Sequence, residues 1–347
     1  FKQKTAYEIM PSLVGSEMCI RDRSGPASST KRDFPGVCVV GSGAIAKDHA
    51  SALKESDLGT LEWVVSRRAE AADAFAQAWN FKNASTSLAD ALRDPAVDVV
   101  VIASPNSVHA ALAEACLLAG KDVLVEIPVG LTLSSVQGLS KMATELGRRV
   151  FACHTMRSFS AISHLRCLVM DGEFEISQVV GTFAIPRRHN QGWSGQRSWV
   201  DDLLWHHACH LVDTTFWVLG RDSYSNVNAL TGNRHPEYGM YMDLAVSFEC
   251  VGNQPAVHSL SYNCEQLIWE LRFFGTNCTF VFRNGELFQD GKTQVVAASD
   301  IRDLRSQDEE IFDSLGSGKE SNYDLGTTIG SYSLLQEVDD ITGWRND

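Results

Sequence analysis

Asp202, His206, His210 and Asp213 stand at spacings of four, four and three, so a helix through them would carry two imidazoles and two carboxylates on one face. Imidazole titrates close to neutrality, and a carboxylate beside it fixes its orientation, which is the equipment for moving protons. Ser198 to Asp201 has the S-x-x-D pattern of a helix start, and the chain from there to Leu219 is mostly apolar. A polar stripe on an apolar helix needs partners or a wet cleft. A structural Asp–His network would account for one such residue; four on one face favour an active site, with the base left open between the two histidines. The four-residue spacing of His206 and His210 also suits zinc, but His207 stands where an H-E-x-x-H helix has its glutamate and no third ligand follows at a set distance, so no metal is expected.

Four arginines accompany this segment: Arg157, Arg187, Arg188 and Arg197. Guanidinium forks pair carboxylates through two parallel bonds, so these are candidate clamps for a small anionic substrate. Neighbours on a strand point opposite ways, which leaves one of Arg187 and Arg188 facing a pocket. Solvation and ordinary ion pairs are the plainer alternative for each.

A second constellation lies near the N-terminus. Gly41-Ser42-Gly43-Ala44-Ile45-Ala46 follows the apolar run Val37 to Val40 and opens a helix. In that context the first glycine permits a tight turn, the second lets a pyrophosphate approach the backbone, and the helix N-terminus faces the phosphates. The next strand, Leu61 to Val65, ends in Ser66-Arg67-Arg68. No carboxylate is present there for the ribose hydroxyls of NAD, while a hydroxyl and two guanidinium groups suit the 2′-phosphate of NADP, so NADP is expected over NAD.

The elements that must position these groups follow from periodicity. From Val37 to Leu146 short β-branched runs alternate with amphipathic helices, the pattern of a parallel Rossmann sheet covered on both faces. Beyond Arg149 come longer extended segments, Ile176 to Ile185, Met240 to Cys250, Ala256 to Cys264 and Leu267 to Gly275, with turn residues between them. The expected fold is α/β: an N-terminal Rossmann domain over 35–150, then an α+β substrate and oligomerisation domain over 151–347 with a largely antiparallel open sheet. Residues 1–34 are expected to lie outside the fold as a non-native extension and linker: Phe1 stands where a methionine is usual, Val14 to Arg23 looks foreign, and Ser24 to Asp33 is linker-like.

Composition narrows the partners. A net charge of −13 with no basic run argues against nucleic acid and anionic membranes. The longest apolar runs are far shorter than the roughly 20 residues of a membrane helix. Nine cysteines, none in a C-x-x-C pair, fit reduced thiols in a cytoplasmic protein.

Several motifs together resemble the Gfo/Idh/MocA family of oxidoreductases: G-S-G-A-I-A followed by His49, then Ser104-Pro105-Asn106-Ser-Val-His109, and Val125-Glu126-Ile127-Pro128. The resemblance implies a nicotinamide-dependent dehydrogenase acting on CH–OH groups, a homo-oligomer (dimer or tetramer), with Ser104, Pro105, Asn106 and His109 beside the cofactor and Glu126 at its nicotinamide end. Ile127 stands where the family usually has a lysine that polarises the reacting hydroxyl. The family's D-x-G-x-H-x-x-D motif matches His210 and Asp213, which implies that His210 is the base; His206 takes the place of the first aspartate and is its alternate or proton-sharing neighbour. His154-Thr-Met-Arg157-Ser-Phe159, Arg187-Arg188, the segment from Arg197 to Asp213 and His235-Pro-Glu237 resemble a subgroup that oxidises the cyclic hemiacetal of 4-carboxy-2-hydroxymuconate-6-semialdehyde with NADP. That likeness adds His154 to the substrate-binding residues. Sugar, polyol or dihydrodiol dehydrogenation within the family, and a non-catalytic dinucleotide sensor, are the alternatives.

Overall fold

Gly36–Val40, Val99–Ile102 and Val150–Cys153 are buried along their whole length, as strands of a sheet covered on both faces must be. The computed structural model describes residues 34–187, 191–192, 195–196, 202–250, 252–298 and 304–345. In chain order it begins with β1 (Gly36–Val40), α1 (Ala44–Glu55), β2 (Thr60–Val65), α2 (Ala69–Trp79), β3 (Asn83–Ser85), α3 (Leu88–Arg93) and β4 (Val99–Ile102). It continues with α4 (His109–Leu118), β5 (Asp122–Glu126), α5 (Leu133–Leu146) and β6 (Val150–Cys153). The six strands form one parallel sheet in the order β3-β2-β1-β4-β5-β6. This is the Rossmann order, which reverses direction between β1 and β4 and opens a crevice at their C-terminal ends. β6 closes the sheet, so the parallel layer runs to Cys153 and not to the boundary at 150 expected from the change of pattern.

α6 (Ser160–Met170), β7 (Ile176–Ala184), the two-residue strands β8 (Gln191–Gly192) and β9 (Gly195–Gln196), a π-helical turn (Leu203–Ala208) and α7 (Cys209–Leu219) follow. Then come β10 (Tyr224–Thr231), β11 (Asp243–Cys250), β12 (Gln254–Ser261), β13 (Ile268–Gly275), β14 (Thr279–Arg283), β15 (Glu286–Gln289) and β16 (Thr293–Val296). The second sheet has eight strands in the order β10-β11-β12-β7-β13-β14-β15-β16. Every neighbouring pair is antiparallel except β12 and β7, which run parallel because β12 belongs to the hairpin series that enters the sheet long after β7. Burial alternates along β11 and β12, so one face packs on helices and the other meets solvent.

Two helices end the described chain. α8 (Arg305–Ser317) returns to the first sheet, where Ile311 and Phe312 join the apolar cluster of Val37, Val39 and Leu53 beside α1. α9 (Ile329–Thr342) packs on α5 and α7 and ties the two layers together. Among the described residues no helix is long and apolar enough to cross a membrane.

Candidate active site

The turn after β1 has the geometry a dinucleotide phosphate needs. Gly41 has φ +132°, and a Cβ there would lie 2.2 Å from the carbonyl oxygen of Ala103, so only glycine fits. Around Gly43 a Cβ would meet nothing within 4 Å, and this open space adjoins the N-terminus of α1, which has no side-chain cap. Ala44 and Ile45 therefore present first-turn N–H groups to that space. Ala46 is fully buried against the sheet. Ser42 and Ser66 touch through their hydroxyls at 2.9 Å, joining the turn to the end of β2. Beyond them Arg67 and Arg68 are exposed and make no ion pair among the described residues, which leaves both guanidinium groups available to a phosphate.

Across the crevice the loop after β4 supplies Ser104, whose buried hydroxyl has no hydrogen-bond partner, exposed Pro105 and buried Asn106. His109 does not face this opening. Its ring nitrogens lie 2.9 Å from the carbonyl oxygen of Pro128 and 2.7 Å from that of Ser104, so it braces two loops from below. Glu126 ends β5 with its side chain 14% exposed, and Ile127 packs into the main apolar cluster. His49, Glu126 and Cys153 bring atoms of ligand type within 4.8 Å of one another. However, His49 has a carboxylate on each ring nitrogen, so no lone pair is left for a metal.

The histidine-rich segment departs from a plain helix. Leu203–Ala208 forms a π turn, with the N–H of His207 reaching the carbonyl oxygen of Asp202, before α7 resumes the ordinary period. The extra residue shifts the phase of what precedes α7, and with Asp213 drawn to Arg157 the expected set of four polar residues divides in three. Asp202 caps the turn: its carboxylate accepts from the N–H of Trp205 at 2.6 Å and from Trp344 Nε1 at 2.9 Å. Burial raises its carboxyl to about 6. His206 and His210 remain partly exposed, with ring centroids 5.7 Å apart. Burial, and secondarily His206, push His210 down to about 3, with Asp213 opposing. His210 is therefore a neutral imidazole whose Nδ1 has no hydrogen-bond partner.

Asp213 lies beneath, 1% exposed, and no hydrogen bond joins it to His210 among the described residues. It accepts a bidentate pair from Arg157, Nε to Oδ2 at 2.8 Å and Nη2 to Oδ1 at 2.5 Å, and a third bond from Ser331 at 3.2 Å. His154 Nδ1 lies 3.2 Å from the same carboxylate. Burial opposes the charged form of Asp213, but Arg157 and His154 outweigh it and hold the carboxyl below its ordinary range. Arg157 also donates from Nη1 to Thr327 Oγ1 at 2.8 Å and to the carbonyl of Asn322. Its fork is committed to Asp213, so Arg157 is an internal anchor and not the substrate clamp its position suggests. His154 likewise serves Asp213; burial pushes it down to about 3, and its buried Nε2 has no partner.

Of the remaining arginines, Arg187 is 2% exposed just beyond β7 and donates from Nη1 to the Tyr262 hydroxyl at 3.0 Å. Arg188 and Arg197 lie outside the described residues. The second sheet contributes an aromatic wall that the sequence did not single out. Phe183 stacks on His207 with centroids 4.7 Å apart, Tyr262 meets the same ring edge-on, and Trp269 lies 6.1 Å from His210. Trp269 Nε1 is a buried donor with no partner. The subgroup motif at His235 makes a turn, with Nδ1 accepting from the N–H groups of Glu237 and Tyr238. A cavity of about 310 Å³ beside it is lined by Asn233, Arg234 and Asn263 but by none of the site histidines.

The family model described as oxidoreductase family, NAD-binding Rossmann fold, matches residues 36–154, and a bacterial oxidoreductase C-terminal model matches residues 161–302. The chain belongs to the GFO/IDH/MocA oxidoreductase family. It is 30% identical over 309 residues to 4-carboxy-2-hydroxymuconate-6-semialdehyde dehydrogenase of Sphingobium sp. (strain NBRC 103272 / SYK-6), covering 87% of this chain and 97% of that enzyme. It is 31% identical to trans-1,2-dihydrobenzene-1,2-diol dehydrogenase of Mus musculus, over 39% of this chain and 41% of that enzyme. Among solved structures, GenD2 from gentamicin A biosynthesis in complex with NAD superposes with a TM-score of 0.78 at 21% identity, covering 92% of this chain and 97% of GenD2. As a member of this family the chain is an NAD(P)-dependent dehydrogenase of CH–OH groups. The open turn over Gly43, the uncapped α1 and the unpartnered Ser104 hydroxyl fit a dinucleotide of that kind.

Proposed function

We propose that the chain oxidises the cyclic hemiacetal of 4-carboxy-2-hydroxymuconate-6-semialdehyde to the corresponding lactone, 2-pyrone-4,6-dicarboxylate, with NADP as acceptor. The observation that carries this reading is the similarity that runs through 97% of the Sphingobium enzyme, histidine segment and second sheet included, where the diol dehydrogenase matches over less than half. Bound over the Gly41 to Ala46 turn, a dinucleotide would supply the acceptor for the hydride of the hemiacetal carbon. The chain's own contribution is to take the hydroxyl proton on an imidazole nitrogen of His210 as the C=O bond forms. A neutral His210 is already in the form a base needs. His206, partly exposed beside it, orients the hydroxyl or shares the proton.

Ile127 removes the ammonium that the family commonly places at the hydroxyl. A hemiacetal tolerates this loss better than a sugar alcohol, because its hydroxyl is more acidic and the ring oxygen helps expel the hydride. Arg157 is engaged by Asp213, so the two carboxylates are assigned to Arg188 and Arg197 of the expected clamps.

The test is the absorbance of reduced nicotinamide when the purified protein meets NADP⁺ and freshly ring-cleaved protocatechuate. Growth of the signal, with a weaker response to NAD⁺, supports both parts of the reading. Silence with tight NADPH binding favours a neutral sugar or polyol substrate, or a dinucleotide sensor. Replacing Arg67 with Asp is expected to move the preference toward NAD by about tenfold, because it exchanges a phosphate-pairing cation for a group that repels phosphate and accepts from ribose hydroxyls.

A further inference from the structure

Behind Glu126 runs a line of buried ionisable groups that the proposed chemistry does not use. His49, fully buried on α1, has Nε2 3.0 Å from Glu126 Oε1 and Nδ1 2.8 Å from Asp308 Oδ2. Both ring nitrogens face carboxylate oxygens, and only the imidazolium carries a proton for each. Asp308 is itself 0% exposed on α8, 259 residues further along the chain, and its second oxygen accepts from Gln307 at 3.3 Å. Glu126, by contrast, keeps part of its side chain open at the C-terminal end of β5, beside the crevice of the dinucleotide site.

The groups that face the His49 ring are Asp308 from α8, Glu126 from β5 and Cys153 from β6. Burial disfavours the imidazolium, but Asp308 first and Glu126 second reverse this and lift His49 to about 10. Burial, and then both carboxylates, hold the Cys153 thiol well above its ordinary range, so it remains a neutral neighbour. A second buried carboxylate is expensive to desolvate, and holding α8 against α1 would not require one, because Ile311 and Phe312 already make that contact. What the second carboxylate does supply is a fixed, charged imidazole, as an aspartate does for a histidine in a catalytic triad.

We propose that Asp308 is a positioning residue for the cofactor: acting through the His49 ring, it fixes Glu126 at the edge of the dinucleotide crevice. This rests on the cofactor reading of the first sheet. With Oε1 held by the imidazolium, Oε2 of Glu126 is left as an acceptor of set direction. Without the Asp308 charge, His49 gives up a proton nearer neutrality, and above that pH one ring proton must serve two acceptors, so Glu126 loses its fixed orientation.

The experiment is a fluorescence titration of NADPH onto the full chain from about pH 7 to about pH 9, for the unaltered protein, Asp308→Asn and His49→Gln. The ring nitrogens of His49 are followed by NMR without cofactor. The unaltered protein is expected to bind with a flat Kd and a doubly protonated His49. Asp308→Asn should lose about tenfold in affinity as the pH rises, the equivalent of one pKa unit of differential interaction. His49→Gln, which cannot titrate, should bind more weakly at every pH with no slope. A flat Kd in Asp308→Asn, or a loss of equal size at every pH, overturns the proposal in favour of a purely structural Asp308. A singly protonated His49 ring near neutrality in the unaltered protein overturns it even if Asp308→Asn does not fold. If the unaltered protein binds no dinucleotide, the cofactor reading falls and the proposal with it; tight binding beside a flat variant removes the proposal alone.

Discussion

His49 and His154 are both buried near the C-terminal edge of the parallel sheet, 0% and 1% exposed, yet they lie on opposite sides of neutrality, one lifted to about 10 and the other pushed to about 3. Each has a carboxylate within 3.2 Å. The difference is in the next neighbour. His49 meets a second carboxylate and no cation, whereas the one carboxylate that faces His154 is already claimed by Arg157. Burial sets the size of the stakes, and the charge beyond the first partner decides the outcome. The molecule thus keeps a charged histidine beside the dinucleotide crevice and neutral ones, His154 and His210, around Asp213.

This contrast can be broken at several points. If the neutral side is where the proton moves, His210→Asn should lower kcat by roughly 10²–10⁴-fold while leaving the Kd for NADPH within a factor of about two. Steady-state kinetics and cofactor titration on one sample decide it, and an unchanged kcat assigns the base elsewhere. Asp213→Asn is the next largest. It leaves the Arg157 charge buried without its counter-ion, for a destabilisation of about 3–5 kcal/mol, to be read as the denaturation midpoint. A shift below about 1 kcal/mol would mean that water reaches this pair.

The two signs also predict two opposite pH limbs in thermal unfolding. His154 and His210 have folded values below the ordinary 6.5, so their contribution is complete above that value and is lost as the pH falls from there toward about 3. His49 has a raised folded value, so its contribution is complete below 6.5 and is lost as the pH rises through about 10. Replacing His49 with Gln should flatten only the alkaline limb; loss of the acid limb in that variant would show that the two sites are coupled. The smallest effect is expected at Trp269→Phe, which keeps the aromatic wall and removes its unpartnered Nε1 donor. If the indole donates to substrate, KM should rise by about 0.5–1.5 kcal/mol equivalent, and if it does not, KM stays unchanged.

The first sheet was legible in the sequence, the edge strand β3 excepted, because its other strands are largely apolar runs and the Gly41 to Ala46 turn has a spacing that few other structures need; β3 is three half-buried residues, Asn83–Ser85, with no apolar run to show it. The antiparallel character of the second sheet was legible too, while β10 and β14 to β16 were not. β10 is polar on its outward side and β15 and β16 are four residues each, too short for a period to declare itself. At the site, His206 and His210 stood out by type and spacing. Arg157 and His154 were misread because an arginine beside a histidine looks alike whether it meets a ligand or a buried aspartate 56 residues away. Asp308 gave no signal at all. It lies in an acidic stretch of α8, and only the fold brings it to His49.

The π turn at Leu203–Ala208 makes the site depend on the number of residues as well as on their kinds. Deleting one residue there would let an ordinary helix run through and rotate what precedes it by about 100° relative to α7. A deletion between Asp202 and His206 would carry Asp202 away from Trp344, while His206 and His210, four residues apart, would stay on one face. A lineage could gain or lose the Asp202 anchor to Trp344 through a single codon's insertion or deletion, with no substitution at either residue.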